Sequence, residues 1–141
     1  MRVRMKKLIF PAILLAATLV TPLPVRADDS ALAKEMEKLD DAYKAFRRET
    51  DSAKGAAAAR EAQTSVLKAI PLTPAMLEKM PAGEPKEKAV AAYRLQMGKL
   101  FVSLCEVETA FIAKDLDAVA KLVDTLKSEK KEGHDAFIEE E

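Results

Sequence analysis

Beyond residue 27, apolar residues recur along the chain at helical spacing, without the strict alternation that marks a half-buried strand. Leu32, Met36, Leu39, Tyr43 and Phe46 step by four, three, four and three, a single stripe on one helix. Asp28, Asp29 and Ser30 offer oxygens to cap its first amides. The run TDSAKG (Thr50–Gly55) is expected to break this helix. An alanine-rich second helix follows, with Ala59, Ala62, Val66, Leu67 and Ile70 on its inner face. Pro71, Pro74, Pro81, Gly83 and Pro85 then mark one long connection, because proline cannot continue a helix. Its segment PAMLEKMPAGEP has room for one helical turn, and Pro85 suits the first position of the third helix. That helix carries Val90, Tyr93, Met97, Leu100, Phe101, Leu104 and Phe111. A break near Lys114–Asp115 leads to a fourth, with Leu116, Val119, Val123, Leu126 and Phe137 inward. Short turns join antiparallel neighbours and the long link permits a return. The expected fold is all-α, an antiparallel up-down-up-down four-helix bundle.

Residues 1–27 stand apart. Arg2, Arg4, Lys6 and Lys7 precede an apolar run from Leu8 to Val20, and Val25-Arg26-Ala27 places small residues around a cut after Ala27. This reads as a cleaved signal peptide, with residues 28–141 as one domain exported to the periplasm. The apolar run is interrupted by Pro11 and falls short of the ~20 residues a spanning helix needs, which argues against a membrane anchor. Cleavage takes five of the 23 basic residues with it, so the balanced chain becomes an acidic domain with a net charge of about −5. That balance offers no footprint for nucleic acid. After cleavage no stretch inserts stably in a bilayer. Cys105, the single cysteine, has no partner for an internal disulfide.

The bundle topology gives Met36 and His134 a shared position. The start of the first helix and the end of the fourth lie at one end, each of these residues about two turns in. Leu67, Ile70, Tyr93 and Met97 come to the same end. A thioether and an imidazole facing each other across an apolar pocket are the axial pair that haem iron takes in electron-transfer cytochromes. Lys130 falls one turn before His134, and Gly133 sits within a helix at a cost of ~1 kcal/mol against alanine, which would let a flat ring approach the backbone. Each residue has a plainer reading. A lone histidine in a charged run is commonly a solvated side chain, a core methionine commonly fills gaps, and a lysine on an apolar stripe can reach out to water.

The segments ALAKEMEKLDDAYKAF and LKSEKKEGH resemble the two ends of the soluble cytochrome b-562 family, and YRLQM resembles the start of its third helix. The resemblance covers nearly all of residues 28–141. It implies Met36 and His134 as axial ligands of one non-covalent b-type haem, with Tyr93 and Met97 against the ring, in a periplasmic carrier of single electrons. The family has phenylalanines where Tyr93 and Met97 stand, a tyrosine at Gly133, and a basic residue at Ile138, which here is followed by Glu139–Glu141.

Other chemistries find little support. Covalent haem needs a C-x-x-C-H pattern, but Lys130, Lys131, Glu132 and Gly133 precede His134. A di-iron carboxylate bundle needs two Glu-x-x-His motifs, and zinc several nitrogen or sulfur ligands; one histidine and one cysteine cannot supply either. Cys105 sits on another level from His134, which argues against nucleophilic catalysis. The expectation is a monomeric haem protein, not an enzyme, exchanging electrons with unidentified redox partner proteins. The competing expectation is a haem-free helical adaptor or chaperone-like binder.

Overall fold

The computed structural model describes residues 30–138. The signal peptide reading, the caps at Asp28 and Asp29, and Glu139–Glu141 lie outside the described residues. Among the described residues the chain is all-helical: α1 (Ala31–Phe46), α2 (Ser52–Ala69), α3 (Ala75–Glu78), α4 (Glu84–Ile112) and α5 (Leu116–Phe137) form a helical bundle.

Helix starts follow their capping chemistry. Ser30, Asp51 and Asp115 each accept a hydrogen bond from the amide three residues on, at 3.0, 2.9 and 2.9 Å. Such caps typically contribute ~1 kcal/mol each. The TDSAKG run is therefore a boundary in a different sense from the one expected. Asp51 starts α2, and Ser52 to Gly55 already belong to it. Gly55 is buried because the Phe111 ring lies against it; a Cβ built there would fall 2.3 Å from the ring. Pro85 occupies the second position of α4, with Glu84 first, where no intrahelical amide is lost. Gly83 precedes it at φ 143°, a backbone state that glycine adopts readily.

Helix α2 is the middle of the bundle. It packs on α1 on one side and α4 on the other, and α4 packs on α5. Its buried residues are Gly55, Ala56, Ala58, Ala59, Ala62, Ser65, Val66 and Ala69, small side chains that admit close neighbours on both flanks. Leu67 falls outside both flanks and is 54 % exposed, so its expected inward direction is corrected. Leu116, also expected inward, is 41 % exposed at the first position of α5, where the turn leaves it in solvent. The remaining stripes close one core around Phe46, Val66, Leu77, Leu104, Val107 and Phe111.

Hydrogen bonds give the sense of the pairs. Arg60 donates to Glu108 at 2.8 Å, while Tyr93 donates its hydroxyl proton to the Ala69 carbonyl at 2.8 Å. Numbers rising along α2 meet numbers falling along α4, an antiparallel pair. Between α4 and α5, Ser103 donates to Glu129 at 2.9 Å, and the Tyr93 ring meets Phe137 edge-on with centroids 5.6 Å apart. The single turn α3 lies in the proline-rich link and seats Leu77 in the core, with Met76 and Met80 packed beside it.

Candidate functional site

Helices α1 and α5 are not among the closely packed pairs. Along their seam runs a groove of about 650 Å³, lined from α1 by Tyr43 and from α5 by Val123, Lys127, Lys130 and His134, with Arg47 at the end of α1. Across it, Lys130 Nζ donates to Asp40 Oδ1 at 2.6 Å and lies 5.9 Å from the centre of the Tyr43 ring. This pair sets the two helices in register. Met36 is four residues before Asp40 and His134 four residues after Lys130. In an antiparallel pair those steps climb one turn on each helix toward the same end. Met36 is half-buried and packs against the core, and His134 is exposed at the groove.

Lys130 is not the ammonium held mid-stripe that the spacing suggested. Its side chain is 48 % exposed and paired with Asp40. The inner stripe of α5 runs instead through Val119, Leu122, Val123, Leu126 and Phe137. The Asp40 carboxyl is held at about 2, below its usual 3.8, by the hydrogen bond from Lys130 and then by that from Lys44. Asp40 was missed in the sequence, yet a signal was present: opposite charges stand at equal spacing from the two residues singled out as ligands.

Tyr93 and Met97 are buried, 4 % and 5 % exposed. Burial pushes the Tyr93 hydroxyl up to about 12, so it stays protonated and keeps its bond to Ala69. Phe137, three residues after His134, rests against the same ring. Tyr93 thereby ties the ends of α2, α4 and α5 together at the level of His134. Leu67 reaches this end but faces solvent. Gly133 has open space where a side chain would begin, with nothing within 4 Å of a built Cβ. Unlike Gly55, it is not explained by packing within the chain.

One thioether and one imidazole are donor types that haem iron takes axially. The groove that His134 lines is largely charged, however, with Arg47, Arg48, Lys127, Lys131 and Asp135 around it, and Met36 packs against the core without lining it. The apolar pocket expected between the two is therefore not what borders His134. Among the described residues no three His, Cys, Asp or Glu side chains converge as a metal-binding group. Among the same residues no helix is long and apolar enough to cross a membrane. Cys105 is half-buried on α4, and burial followed by the nearby Glu108 and Glu106 pushes its thiol up, away from the thiolate a nucleophile needs. No curated protein matches the chain. The family model for cytochrome b562 matches residues 31–137, the whole helical body, and the chain belongs to the cytochrome b562 family.

Proposed function

We propose that this protein is a periplasmic electron carrier that binds one non-covalent b-type haem with Met36 and His134 as axial ligands. The cytochrome b562 family consists of haem-binding electron-transfer proteins. The finer reading includes export after removal of residues 1–27, one domain at 28–141, and closure as an up-down-up-down bundle. The observation that supports the ligand assignment is the Lys130–Asp40 ion pair between α1 and α5, since Met36 and His134 each stand four residues from one of its partners.

When bound, the haem supplies a one-electron couple whose potential a methionine ligand raises. The chain's own residues do the rest. Met36, held by the core, offers a thioether with little freedom to leave. His134 needs only a side-chain rotation into the seam, and Gly133 beside it removes a side chain that would stand in the way. Tyr93, fixed by Ala69 and Phe137, forms a rigid wall. Leu77 is buried, and Met76 and Met80 pack against the core beside it.

The test is a haem titration followed by absorption. The parent should give a six-coordinate low-spin spectrum. Met36→Ala should open one axial position and give high-spin bands, and His134→Ala should weaken binding much more because imidazole is the stronger donor. A Met36→Ala/His134→Ala protein with an unchanged spectrum would remove the assignment. Protein that takes up no haem would instead favour the adaptor reading.

A further inference from the structure

The outer face of α4 carries a pattern that the haem site does not use. Leu95, Val102 and Ile112 are 62, 56 and 64 % exposed. With Ala91, Gly98, Cys105 and Thr109 between them, they form a stripe stepping by four and three from 91 to 112. This is the spacing of a helix–helix seam, and here it points away from the bundle's own core. Gly98 lies in this stripe with nothing within 4 Å of a built Cβ, so no neighbour in the chain accounts for a glycine in the middle of a long helix. A second backbone passing close by would account for it.

The charges flanking the stripe say what that second backbone is. Lys99 and Glu106 are both exposed and stand seven residues apart, hence two turns apart on one flank. A second copy packed in parallel would put the Lys99 and Glu106 flank of one copy on the opposite side of the seam from that of the other, so the two residues would not meet across it. Packed antiparallel about a two-fold axis next to Val102, it sets Lys99 of each copy against Glu106 of the other. The face is thus self-complementary in the manner an isologous dimer requires. Leu95 of one copy then lies against Thr109 and Ile112 of the other, and Gly98 against Cys105.

We infer that the protein forms an antiparallel homodimer through the outer face of α4, centred on Val102, in place of the monomer expected from sequence. The groove between α1 and α5 is left free, so the inference does not rest on haem binding.

Sedimentation equilibrium over a range of protein concentrations, with and without haem, tests it. The parent should dimerise, and Val102→Glu should give a monomer whose helical circular dichroism is unchanged, since the side chain is exposed. Lys99→Glu and Glu106→Lys should each weaken the dimer by about tenfold, because two symmetric ion pairs become repulsive contacts. The double exchange Lys99→Glu/Glu106→Lys should restore it. A parent that stays monomeric at every concentration overturns the inference. So does a dimer indifferent to Val102→Glu, or a double exchange no better than the singles.

Discussion

At the residue scale, Gly55 shows how a small side chain can be fixed by a large one far along the chain. The Phe111 ring is fully buried and occupies the space where a Cβ at Gly55 would sit, 2.3 Å from the ring atoms. Gly55→Ala gains helix propensity of ~1 kcal/mol, but forcing the ring aside costs ~1–3 kcal/mol. The net expectation is a loss of about 1 kcal/mol in urea unfolding, and a smaller loss when the same change is made in a Phe111→Leu background, whose own core loss is measured separately. An unchanged or higher midpoint for the single variant would show that the ring moves freely. Sequence reading took this glycine as a helix breaker because propensity acts within a few residues, whereas the partner that explains it is on another helix. Met36 and His134 stand out in the sequence for a different reason, and the structure leaves Met36 half-buried and His134 exposed. His134 is the only histidine in the chain, and counting from the helix ends relates it to Met36 without knowledge of packing.

At the element scale, the stripes of α1 and α5 were plain because each has one buried face and one charged face. Helix α2 was read less well. Its core face is alanine, so the bulkier Leu67 drew the assignment although it lies 54 % exposed. Helix α4 is apolar on two sides, which hides its outward stripe from any pattern that assumes one core. Its end is well marked: Lys114 adopts φ 58°, the left-handed conformation, and the Asp115 amide closes back on the Ala110 carbonyl at 3.0 Å. A residue with a Cβ is strained there by roughly 1 kcal/mol, and glycine is not. Lys114→Gly should therefore raise stability by only ~0.5 kcal/mol or less after the entropy of the unfolded glycine is subtracted. Thermal unfolding would show this as a higher midpoint, while a lower one would mean that the lysine side chain contributes more than its backbone costs.

For the whole molecule, the seam between α1 and α5 differs from the others in that it is not closely packed. Three helix pairs pack closely, and this one is bridged by Lys130 and Asp40 across an open groove. A tight apolar seam would stabilise the bundle more, but it would close the groove beside His134. The ion pair keeps the register without filling that space. Because both partners are partly exposed, solvent screening reduces its worth to ~1 kcal/mol. Its pH dependence has a definite sign. The Asp40 carboxyl is depressed from 3.8 to about 2 in the folded chain, by Lys130 first and Lys44 second. The unfolded chain therefore binds the proton first, so the stabilisation is complete above the ordinary carboxylate range and disappears as pH falls toward 2. Asp40→Asn should be less stable than the parent by about the same margin from neutral pH down to ~5. The two proteins should then converge below 3.8 and unfold alike near 2. The reversed pair, Asp40→Lys with Lys130→Asp, should recover part of the loss at neutral pH. It also reports on register, because haem affinity should fall in Asp40→Asn and return in the reversed pair if the bridge holds Met36 and His134 level. Stability that recovers while haem affinity does not would mean that the bridge joins the helices without setting the ligands.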